Sequence, residues 1–90
     1  MKESEIEKKV CAHAKSKGWL SYKFVSPSNR GVPDRIFMRR GLCMFIEFKA
    51  EGKKATKLQQ KVMSRIEQKG FDCHVVDSVE WGVEVINSYC

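Results

Sequence analysis

The chain has no apolar run approaching ~18 residues, which excludes a membrane-spanning helix. Its first residues, Met1-Lys2-Glu3-Ser4-Glu5, lack the apolar stretch of a secretory signal, so a cytoplasmic protein of a bacterial or phage-infected cell is expected. There is no CxxC pair among Cys11, Cys43, Cys73 and Cys90, and neither His13 nor His74 is grouped with them. A structural zinc site is therefore not expected, and the thiols read as small hydrophobes or idle groups in a reducing compartment. Internal repeats, low-complexity segments and linkers are missing too, and 90 residues leave room for one domain, 1–90. So thin a core makes dimerisation a reasonable expectation. Acidic residues are the minority: 17 Lys and Arg against 11 Asp and Glu give a net charge of +6. The cations are densest over 23–40 and 49–61, as a phosphate-facing patch would require, although a solvated surface is the plainer account of any one of them.

What is present is an orderly run of element signals. Ile6, Val10 and Ala14 recur at i+4 and predict a helix from Ser4 to about Lys17, with Ser4-Glu5-Ile6-Glu7 fitting a capping box and Gly18 closing it. The aromatic stretch from Trp19 to Val25 predicts a strand and residues 26–33 a loop. Asp34 to Met38 predicts a second strand, Arg39-Arg40-Gly41 a turn, and Leu42 to Lys49 a third strand apolar enough to be buried on both faces. Thr56-Lys57-Leu58-Gln59 reads as a capping box opening a helix to about Lys69. Phe71 to Asp77 reads as a fourth strand, parallel to the third if the connection is a crossover. Ser78 caps a last helix over 79–87, in which Trp81, Val85 and Ile86 are candidate packing residues. The order is α-β-β-β-α-β-α.

The chemistry lies in two short segments. Gly31-Val32-Pro33-Asp34 precedes Glu47-Phe48-Lys49, with twelve residues between Asp34 and Glu47. If 39–41 is a tight turn, Asp34 and Glu47 come side by side on adjacent strands and can share a metal. Glu47 and Lys49, two apart, point to one face. Phosphodiester hydrolysis needs a water in line and relief of the charge that builds on the phosphate. A Mg²⁺ or Mn²⁺ ion on two carboxylates, with the Phe48 backbone carbonyl as a further oxygen ligand, suits that task. Lys49 can orient the water or neutralise the phosphate. Pro-Asp and Glu-x-Lys are each common patterns, so the argument rests on their combination with a buried strand and a capped helix carrying Gln59.

With Phe45-Ile46-Glu47-Phe48-Lys49 and Thr56-x-x-Gln59 in the expected order after Gly31-Val32-Pro33-Asp34, the chain resembles the VRR-NUC nucleases of the PD-(D/E)XK superfamily from its first helix to Val76. The resemblance implies a restriction-endonuclease-like α/β fold, an α-β-β-β-α-β core around a mixed sheet. It implies metal binding by Asp34 and Glu47, action on the water by Lys49, and a place in the site for Gln59, with Gln60 as the fallback. It also implies a glutamate on the first helix, best matched by Glu3, with Glu7 the rival. Lys23, Arg30, Arg35, Lys53, Lys54 and Lys57 are the candidate DNA-phosphate contacts. Family members standing alone at this size resemble Holliday-junction resolvases, which implies a branched or four-way DNA substrate and a homodimer. A flap or nicking nuclease, a silent nucleic-acid-binding module and an RNA-binding domain are the other readings. The last would stack bases on Trp19, Tyr22 or Phe24, residues more often found in a core.

Overall fold

The computed structural model describes residues 1–89; Cys90, read above as an idle thiol, lies outside them. The elements are α1 (Glu3–Ser16), β1 (Leu20–Lys23), β2 (Arg35–Arg39), β3 (Leu42–Phe48), α2 (Lys57–Gln68), β4 (Asp72–Val76) and α3 (Val79–Asn87). They build a mixed four-stranded sheet in the order β1-β2-β3-β4, with β1–β2 and β2–β3 antiparallel and β3–β4 parallel. This is the expected element order, and the fourth strand does return parallel to the third.

Strand β3 is the centre of the sheet, and Met44 through Phe48 are all buried. Alternation along it sorts the two faces. Met44, Ile46 and Phe48 join Phe37, Val76, Ile6, Val10, Ala14, Trp19, Val85 and Ile86 in the main core, so α1 and α3 cover that face. Phe45 and Glu47 point to the opposite face, where Gln59 of α2 meets Glu47. The β2–β3 hairpin closes through Arg40 and Gly41, both at positive φ (49° and 79°), with Arg39 paired to Leu42. That is a two-residue connection of the primed type, which matches strand twist.

Several expectations need correction. Helix α1 begins at Glu3, with an extended Lys2 as N-cap and no side-chain cap bond, so Ser4 and Glu7 do not form a capping box. The acidic first turn, Glu3 and Glu5, suits the positive end of the helix dipole. Glu3 is therefore a helical residue, and Glu7 is available for other work. The first strand is shorter than the aromatic run that announced it. Trp81 does not join the core: it stays 45% exposed while Val85 and Ile86 are buried. Its indole N–H donates to the Val75 carbonyl at 3.0 Å, which holds the ring at the surface. Gly82 explains how α3 approaches α1, because a Cβ there would lie 2.3 Å from a Val10 methyl.

Candidate active site

Asp34 sits just before β2. The β2–β3 register pairs Arg35 with Ile46, so one further step sets Asp34 across from Glu47. The backbone N–H of Phe48 donates to Asp34 Oδ2 at 2.8 Å and fixes that carboxylate against β3. Burial lifts the Asp34 carboxyl above its usual range; the Phe48 bond opposes the rise and the Glu7 charge adds to it.

Glu47 is the most unusual residue of the chain, a 3% exposed carboxylate in the central strand. Its Oε2 accepts from Gln59 Nε2 at 3.0 Å and lies 3.4 Å from Lys49 Nζ. Its Oε1 is buried with no hydrogen-bond partner among the described residues. Desolvation first, then the Asp34 charge, push its carboxyl up to about 7 against the pull of Lys49.

Gln59 both caps α2 and donates to Glu47. Its Oε1 accepts from the Thr56 N–H at 2.9 Å while Thr56 Oγ1 accepts from the Gln59 N–H at 3.1 Å, a complete capping box. With the oxygen end held by the cap, the amide nitrogen end points at Glu47. The helix cap thus aims Gln59 at Glu47, whereas the Gln60 amide donates to Ala55 instead.

The donor set fits a small hard cation. Two carboxylates converge on one sheet face, one oxygen of Glu47 is orphaned, and Phe48 lies beside both. No group of three or more His, Cys, Asp or Glu side chains converges among the described residues. A sparse set of that kind matches an ion that keeps several of its own waters.

The remaining candidates fall into two groups. Glu7 is half-buried and accepts from Arg35 Nε at 2.6 Å, with Lys23 Nζ 3.9 Å away. Arg35 also donates to Ser21 at 3.4 Å, so its guanidinium is turned toward α1 and β1. Glu3 is exposed and makes no hydrogen bond or ion pair among the described residues, yet its charge is felt at Glu47. Lys23, Arg30, Lys53, Lys54 and Lys57 are exposed. Lys53 and Lys54 flank Trp81 and Gln60 in one groove, and Arg30 stands on the lip of a larger cleft beside α2. The Glu7–Arg35 pair and that cleft were not readable from the sequence. The pair joins residues 28 apart on different elements, and the cleft depends on how closely residues 24–32 approach α2. The thiols are quiet: burial raises Cys11 and Cys43, and Cys73 reaches about 12.

No family model matches the chain. It is 39% identical over 79 residues to a protein named "Putative nuclease p44" from Acyrthosiphon pisum secondary endosymbiont phage 1, a match spanning 87% of this chain and 85% of that one. A solved structure described as "VRR_NUC domain" superposes with a TM-score of 0.89 at 26% identity, over 98% of this chain and 97% of the other. A second, a "VRR_NUC domain protein", superposes with a TM-score of 0.82 over 99% and 88%; at 21% identity it speaks for the fold alone. The chain belongs to the VRR-NUC nuclease family.

Proposed function

We propose that this chain is a Mg²⁺- or Mn²⁺-dependent endodeoxyribonuclease that hydrolyses phosphodiester bonds in branched DNA, four-way junctions foremost, as a homodimer. The observation that carries the reading is the orphaned Oε1 of Glu47, a 3% exposed carboxylate set across from Asp34. A buried carboxylate oxygen without a partner is costly, and a bound cation removes that cost.

In this reading Asp34 and Glu47 hold the ion with help from the Phe48 carbonyl. When bound, the ion would neutralise charge developing on the phosphate and lower the pKa of water. Gln59 donates to Oε2 and so restrains the Glu47 side chain, while Oε1, without a partner among the described residues, would be the oxygen left to take an ion. Lys49 shares that face and holds a positive charge where the phosphate or the attacking water must sit. Glu7 is engaged by Arg35, which leaves Glu3 as the α1 carboxylate able to turn toward the site. Lys23, Arg30, Lys53, Lys54 and Lys57 contact phosphates on either side of the cluster, whereas the guanidinium of Arg35 is held by Glu7 and Ser21. Such contacts read backbone shape rather than base sequence.

The family supports nuclease activity, and the net charge of +6 supports an anionic polymer as substrate. One catalytic set per chain supports a two-fold pair, since symmetrical cutting of two strands needs two sets. The test is cleavage of a four-way junction with fixed arms, a flap and a blunt duplex, beside sedimentation of the protein alone. Paired symmetrical cuts by a dimer are expected. Cuts confined to flap or duplex, or a monomer that cuts junctions on one strand only, contradict the resolvase assignment.

A further inference from the structure

We propose that the cleft between residues 24–32 and α2 holds one unpaired nucleotide of the DNA substrate, its base on the apolar floor and its phosphates on the cationic rim. The inference rests on the nuclease reading and names the kind of strand the enzyme selects.

The cleft measures about 680 Å³, inside the ~300–1,000 Å³ range of ligand sites. Phe24, Val32, Leu58 and Ile66 supply its apolar floor. Arg30, Arg65 and Lys69 stand around it, and no carboxylate lines it. An apolar surface whose charged lining is all cationic, with Ser26, Ser28 and Asn29 as neutral polar neighbours, complements a base attached to phosphates. It does not suit a second copy of the chain, because a two-fold contact would set the same cations against themselves. Nor does paired DNA use it fully, since a duplex hides its base faces and offers only phosphate.

The position of the cleft ties it to the chemistry. Leu58 in its wall immediately precedes Gln59, and Val32 lies two residues before Asp34. Gly31 makes the cleft possible: at φ +85° it sits so close to α2 that a Cβ would lie 2.9 Å from Leu58 Cγ and 3.2 Å from a Val62 methyl. The loop that delivers the metal-site aspartate is thereby pressed against α2, and the space beside it becomes a groove. The loop is itself shaped by an Asn29–Ser26 turn, with Asn29 Nδ2 donating to Ser26 Oγ at 3.2 Å.

The test is fluorescence anisotropy of the full chain in EDTA, which prevents cutting. The probes are a labelled oligothymidylate and a blunt hairpin duplex carrying the same number of phosphates. Wild type should bind the single strand more tightly than the duplex. Ser28→Trp fills the cleft from an exposed loop position; the Arg65→Ala/Lys69→Ala double variant strips its rim from an exposed helix face. Each should weaken single-strand binding roughly tenfold or more, as loss of a stacked base does, with an unchanged melting temperature. Equal wild-type affinity for both probes, or full single-strand affinity in folded Ser28→Trp, overturns the proposal. A change of oligomeric state in Ser28→Trp would overturn it by giving the cleft to a second copy. Tighter binding of oligouridylate would overturn the assignment to DNA. Wild-type cutting without the preference sinks the cleft alone; the preference without cutting sinks the nuclease reading alone.

Discussion

Glu47 costs the metal-free protein stability, and the sign can be worked out. Its carboxyl titrates near 7 in the fold against 4.5 unperturbed. Below 4.5 it is protonated in both states and the fold keeps its full stability. Between 4.5 and about 7 the unfolded chain ionises first, so stability falls; above 7 the loss levels off at about 3 kcal/mol. Urea denaturation in EDTA should show this decline for wild type and not for Glu47→Gln, which should exceed wild type at pH 8. A variant with the wild-type pH slope would show that burial of this carboxylate is not its source. A divalent ion taken up by Glu47 would have to displace the same proton. Mg²⁺ or Mn²⁺ should therefore raise the wild-type melting temperature more at pH 8 than at pH 6, and leave Glu47→Gln unmoved. At this scale the sequence was informative for Asp34, Glu47 and Lys49, because strand alternation and a two-residue hairpin fix their faces. It was silent on Glu7, whose partner Arg35 is set by how α1 lies on the sheet.

Helix α2 links stability to the site through one cap. Thr56→Ala should cost about 1 kcal/mol and also slow cleavage, because losing the Oγ1 bond to the Gln59 backbone N–H loosens the cap whose Thr56 N–H holds the Gln59 side chain. Ser78→Ala removes the cap of α3, whose Oγ accepts from the Trp81 N–H at 3.1 Å. It should cost a similar amount of stability and leave cutting alone. Equal effects on cutting, measured at a temperature where both variants are folded, would deny Gln59 its positioning role. The cap was legible as Thr56-x-x-Gln59, whereas the supposed cap at Ser4 was not real. Both segments carry the same residue pattern, and only the start of α1 at Glu3 tells them apart. Gly82→Ala should destabilise by about 1–3 kcal/mol, since its Cβ meets both Val10 methyls and Val76. Chemical denaturation reads this directly.

The whole molecule is a thin α/β layer whose central strand carries a buried carboxylate, Glu47, inward rather than to a loop. The order of elements was readable because each has its own punctuation, from the glycines ending α1 and α2 to the Arg40–Gly41 turn. The faces of the sheet followed from the alternation on β3. The cleft beside α2 was not readable, since it depends on how closely residues 24–32 approach a helix far along the chain. Trp81 likewise stayed outside because a single indole hydrogen bond to β4 outweighs its apolar look. No helix among the described residues is long and apolar enough to cross a membrane.

The most direct measurement is DNA cleavage by wild type, Asp34→Asn, Glu47→Gln and Lys49→Ala, titrated with Mg²⁺ and Mn²⁺ from EDTA upward, across pH 6 to 8. The account predicts no cutting without metal and a wild-type rate that rises with pH through about 7. It predicts losses of at least about a hundredfold in each variant. Cutting in EDTA, or full activity in Glu47→Gln, would contradict it.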